Sequence, residues 1–90
     1  QGELDLHGHT GDEARVAIAA FLNRCMLEDR RCVRIIHGKG RGSVNREPVL
    51  KGRIRKLLAR KSEVLAFSEP PAAHGGSGAV IVLLDSKAGP

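Results

Sequence analysis

Asp5 and His7 stand two residues apart in Leu4-Asp5-Leu6-His7-Gly8, and His37 opens the run His37-Gly38-Lys39-Gly40-Arg41-Gly42-Ser43. Histidine titrates near neutral pH and can serve as base or acid. Residues two apart on a strand point to the same face, and a carboxylate beside an imidazole orients the ring and raises its pKa. Gly38, Gly40 and Gly42 leave backbone amides open to close approach by an anion, with Lys39 and Arg41 adding charge beside them. A base, an acid and donors for developing negative charge are the parts phosphodiester cleavage needs. Asp5, His7 and His37 are therefore the candidate catalytic residues, and Gly38, Lys39, Gly40, Arg41 and Gly42 the candidate phosphate-binding loop. Asp-x-His-Gly is a short pattern, and its spacing alone also fits an Asp5 that caps a turn and a His7 that packs in the loop.

Charge points to the same class of ligand. The net charge of +5 is unevenly spread: residues 30–61 hold twelve Lys/Arg against Glu47 alone, while the segments on either side are net acidic. Like charges cluster where something rewards it, and a polyanion is the usual reward. Arg46, Lys51, Arg53 and Arg55 are expected to grip nucleic-acid backbone without reading sequence, with His74 joining them from a glycine-rich connection. Phe21 and Phe67, the two aromatics of the chain, both fit core positions, which argues against base stacking on aromatic platforms. A membrane surface would want apolar anchors beside the basic residues, and residues 30–61 have no Trp, Tyr or Phe. The longest apolar run, Ala79–Leu84, falls far short of the ~20 residues a spanning helix needs.

These residues need a frame. Glu3–His7 alternates polar and apolar, which suggests a short strand. Thr10 followed by Glu13 fits a capping box, so a helix should begin near Asp12. Ala14, Ile18, Phe21, Leu22, Cys25 and Met26 recur at helical spacing. Cys32–His37 reads as a buried β-branched strand. Pro48 suits the first turn of a second helix, with Leu50, Ile54, Leu57 and Leu58 on its apolar face. Val64–Phe67 is a third strand. Ala79–Leu84, apolar without alternation, is expected to be central and covered on both faces. The fold class is thus α/β, a two-layer sandwich in β-α-β-α-β-β order with a four-stranded mixed sheet and two helices. Parallel first and second strands bring Asp5, His7, His37 and the Gly38–Gly42 loop to one edge, where sites of such sheets gather. The pattern leaves open which end of the sheet carries the 69–78 connection.

Ninety residues make one domain, with a core expected over residues 4–84, and a monomer is the default for a small basic domain. Cys25 and Cys32 are expected to be buried thiols in a reducing compartment. No basic-then-apolar leader is visible at the N-terminus, which fits a cytoplasmic protein, although a chain that lacks an initiating Met can be an excised domain. No His or Cys pair shows structural-zinc spacing, so no protein-bound metal is assigned. A magnesium ion carried mainly by substrate phosphate stays open. A dinucleotide loop fails because Ser43 stands where its last glycine belongs.

The two motifs in order are more specific than either alone. Leu4-Asp5-Leu6-His7-Gly8, one helix and one strand, then His37-Gly38-Lys39-Gly40, resembles the paired signatures of the Smr (small MutS-related) domain, and Gly75-Gly76-Ser77-Gly78 resembles its third glycine-rich element. The His that begins the second motif resembles the stand-alone bacterial type. The resemblance implies a fold similar to the C-terminal domain of bacterial translation initiation factor three. It also implies an endonuclease activity, DNA nicking or cleavage of messenger RNA on collided ribosomes. Asp5 and His7 would be the catalytic element and His37–Gly40 a loop for catalysis or substrate binding. Expected partners are RNA or DNA and, for some members, the ribosome. The rival reading is a non-catalytic module that docks on nucleic acid or the ribosome.

Overall fold

Thr10 decides where the first helix starts. Its hydroxyl accepts from the Glu13 amide at 3.2 Å while the Glu13 carboxylate accepts from the Thr10 amide at 2.8 Å, a complete capping box. Helix α1 therefore runs Gly11–Leu27, with Asp12 and Glu13 beside its positive end. The computed structural model describes residues 2–6, 8–38 and 46–85, without the side chains of 46–50. His7, Lys39, Gly40, Arg41 and Gly42 lie outside the described residues, as do the side chains of Arg46, Pro48 and Leu50.

Strand β1 (Glu3–Asp5) precedes α1, and β2 (Cys32–Ile36) follows it. Helix α2 (Arg46–Arg60), β3 (Val64–Ser68), two short 3-10 turns (Ala72–His74 and Gly76–Gly78) and β4 (Ala79–Leu84) complete the order. The four strands form one mixed sheet in the spatial order β1-β2-β4-β3. β1 and β2 are parallel, and β4 is antiparallel to both β2 and β3. This is the two-layer α/β architecture expected from the pattern of elements.

Alternation along the strands sorts the two faces. Leu6, Val33, Ile35, Val80, Val82 and Leu84 turn inward and are buried. Ala14, Ile18, Leu22 and Cys25 of α1 pack on them, together with Ile54 and Leu58 of α2. Phe21 and Phe67 lie half-buried against this core. A β-bulge between Val64 and Ala66 keeps both Val64 and Phe67 on the inner face.

Two expectations are corrected here. β4 is central in the sheet, but both helices lie on one side of it, so its outer face is open: Leu83 is 44% exposed. An apolar run that reads as covered on both faces is here covered on one. Cys32 is exposed rather than buried, because the same alternation aims it at the open face opposite Leu83. Cys25 is buried, and no disulfide joins the two.

The thiols therefore behave differently. Ellman's reagent is expected to modify Cys32 in the folded protein and Cys25 only on unfolding. Burial pushes the Cys25 thiol above its ordinary 9.0, so on raising the pH the unfolded thiol ionises first. The stability held below that value then falls as the pH rises through it. A urea midpoint followed against pH should show this decline in the wild type and a shallower one in Cys25→Ala.

Candidate functional site

The parallel register sets the geometry of one sheet edge. Asp5 lies opposite Ile36, and the Leu6 amide donates to the Ile36 carbonyl at 2.6 Å. The first motif thus ends beside the point where β2 delivers His37 and Gly38. β4 runs the other way and begins at the same edge, with Ala79 opposite Ile36. The connection before β4 must therefore lie there too, which resolves the end of the sheet it occupies.

A single carbonyl joins the second and third glycine motifs. Gly78 O accepts from the His37 amide at 2.9 Å and from the Gly38 amide at 3.0 Å. Gly75 turns the chain toward it with φ 119°, a left-handed value that side chains rarely adopt. A Cβ at Gly75 would also stand 2.8 Å from the Ala79 Cβ. Both conformation and space thus call for glycine at this turn.

Asp5 and His37 share the edge but not the same surroundings. Asp5 is exposed on the open face, the last residue of β1. His37 is 1% exposed, and continued alternation from Val33 and Ile35 puts it on the inner side. Its Nδ1 lies 2.9 Å from Gly38 O. A carbonyl only accepts, so Nδ1 is the donor in this contact. The imidazole thus orders the first residue of the loop that follows.

Arg34 ties the edge together, a role not assigned to it from the sequence. Its guanidinium donates to Glu3 Oε1 at 2.6 Å and to His74 O at 2.9 Å. One side chain thus holds β1, β2 and the 69–78 connection, with the His74 side chain left exposed. Charge-assisted bonds of this kind are the stronger ones. A signal was present: a lone arginine inside an apolar strand needs a partner.

The basic residues of α2 do not act as one patch. Lys51 pairs with Glu69 at 3.3 Å, and Arg55 is half-buried. Arg53 turns to the α1 side, its guanidinium over Gly11. Among the described residues, no group of three or more His, Cys, Asp or Glu is placed to hold a metal ion, and no helix is long and apolar enough to cross a membrane.

A family model for the Smr domain matches residues 4–85. The chain belongs to the Smr domain family. The ribosome rescue factor SmrB of Tolumonas auensis is 37% identical over 84 residues, covering 93% of this chain and 45% of that protein. The SmrB of Photobacterium profundum is 38% identical over 82 residues, 91% of this chain and 43% of that one. The Smr domain spans less than half the length of these relatives. The crystal structure of the Smr domain of Thermus thermophilus MutS2 superposes with a TM-score of 0.83 at 32% identity, covering 94% of this chain and 99% of that one. YdaL, a stand-alone small MutS-related protein from Escherichia coli, gives 0.84 at 30% identity over 91% of this chain and 63% of its own. The likeness to solved Smr domains thus extends over nearly all of the fold described above.

The Gly75 turn can be tested directly. Gly75→Ala is expected to destabilise the domain by about 1–3 kcal/mol and to speed amide exchange at His37 and Gly38 more than at Val33 or Val82. Uniform loss of protection across the sheet would mean that the turn does not specifically hold this edge.

Proposed function

We propose that this Smr domain docks on RNA of the ribosome in the cytoplasm and cleaves a phosphodiester at the edge that carries Asp5. The convergence of the three glycine motifs on that edge, with Asp5 exposed beside them, is the observation that carries the reading. The name of the SmrB relatives, ribosome rescue factors, supports the docking part directly. The cutting part rests on the Asp-x-His-Gly pattern and on the chemistry those residues permit.

In this reading Asp5 orients His7, which takes a proton from a ribose 2′-hydroxyl or a water and returns it to the leaving oxygen. Amides of Gly38–Gly42, with Lys39 and Arg41, hold the charge that develops on the phosphate. His37, buried against Gly38, keeps that loop in place rather than touching the substrate. Arg46, Lys51, Arg53 and Arg55, with His74, bear on flanking backbone. A magnesium ion brought by the substrate phosphate is compatible with a single carboxylate at the edge.

The test compares the wild type with Asp5→Ala/His7→Ala on end-labelled single-stranded RNA and on supercoiled plasmid, with and without EDTA. General acid–base groups contribute about 10²–10⁴-fold, so RNA cleavage is expected to fall by that order while RNA binding stays within a few-fold. Cleavage that survives EDTA supports the histidine route over a metal one. Nicking of plasmid without RNA cutting moves the substrate to DNA. Binding without cutting by the wild type leaves the docking module, and joint loss of binding and cutting in the variant removes the catalytic role of Asp5 and His7.

A further inference from the structure

A groove runs between α1 and α2 on the covered side of the sheet, and four cations line it: Arg15 from α1 and Arg53, Lys56 and Arg60 from α2. Positions 53, 56 and 60 step by three and four, the spacing of one helix face. At ~1.5 Å per residue these three spread over about 10 Å along the groove. Among the described lining residues Asp12 alone is acidic. No ion pair among the described residues involves any of the four cations.

The upper end of the groove is more positive still. The Arg53 guanidinium lies over Gly11, the first residue of α1: a Cβ there would run into it, with Cζ at 3.2 Å and Cδ at 3.3 Å. That places a cation against the positive end of a helix dipole. The Glu13 carboxylate accepts from the Thr10 amide at 2.8 Å and does not line the groove. Asp12 remains as one counter-charge against four, and an anion seated in the groove would relieve the repulsion.

The floor indicates which kind of anion. Ala14, Ile18 and Ile54 are each no more than 2% exposed, which leaves the half-buried Leu57 as the one apolar side chain open among the described lining residues, where an acidic amphipathic helix would want several anchor pockets one turn apart. Phosphates need only the charge. Among the described residues no aromatic lines the groove, which offers no stacking platform for bases. The mouth at Gly11 lies close to the motif edge, because the intervening turn is tight: the His9 amide donates to Leu6 O at 2.9 Å.

The geometry points to the α1–α2 groove as a track for the sugar–phosphate backbone of a single RNA strand flanking the edge at Asp5. This inference rests on the RNA-binding reading above and adds Arg15, Lys56 and Arg60 to the surface that carries it.

The test measures anisotropy of labelled oligouridine bound to the full chain across a KCl series. Each lost phosphate contact with a single strand lowers the salt slope by ~0.7. Lys56→Ala/Arg60→Ala is expected to lower it by about 1.4. Gly11→Ala keeps every charge and displaces only the flexible end of Arg53, and is expected to lower it by about 0.7. Arg24→Ala/Arg30→Ala, a charge-matched pair outside the groove, should leave it unchanged. Thermal melts confirm that each variant is folded. An unchanged slope in both groove variants, with the wild type bound to RNA, overturns the groove alone, as does an equal fall in the charge-matched control. Loss of poly-glutamate binding with RNA binding kept reassigns the groove to an acidic protein segment and overturns the track. A wild type that does not bind oligouridine overturns the RNA-binding reading together with the track.

Discussion

Gly78 O, shared by the amides of His37 and Gly38, is the contact on which the candidate site depends. It joins the end of a parallel strand to the start of an antiparallel one, so loops from distant parts of the chain meet. A backbone acceptor is suited to this task because it cannot be lost by side-chain substitution. It does need the chain around it to turn sharply. Gly75 supplies that turn with a backbone conformation and a clearance that a side chain would forfeit.

Around that contact the sheet separates two kinds of surface. Its inner face is closed by α1 and α2 and carries the core. Among the described residues no helix lies on its outer face, so Asp5 can be exposed while Leu6, its neighbour, is fully buried. Arg34 uses the same open face to reach both Glu3 and His74 O. The edge is thus braced from one side by the Gly78 carbonyl and from the other by a guanidinium. Two-layer packing thus closes one face of the sheet over the core and leaves the polar groups of the motif edge on the other.

Charge follows the same division of labour. The basic run between residues 30 and 61 reads as one feature along the chain, yet folding distributes it. Arg34 becomes a brace, Lys51 pairs with Glu69, Arg30 pairs with Glu28, and Arg53, Lys56 and Arg60 line the α1–α2 groove. Net charge is thus a property of the run as a whole, while the helix period decides which of its cations share a face.

Local patterns determined much of this protein. The capping box at Thr10 and Glu13, the apolar period of α1 and the β-branched run of β2 each state their element through interactions a few residues apart. The helix between two strands then implied parallel pairing and put Asp5 and His37 at one edge. The paired motifs were legible for the same reason, since each is a contiguous run. What only the tertiary structure decided involves partners far apart in sequence. Nothing local to Ala79–Leu84 states that one of its faces lacks a covering layer, and the exposure of Cys32 and Leu83 follows from that. Nothing local to residues 69–78 states at which end of the sheet they lie, because that depends on β4 running antiparallel to β2. The burial of His37 and the reach of Arg34 to His74 O depend on the same pairing. Non-local strand pairing carries no short-range signature, and these features came into view only with the assembled sheet.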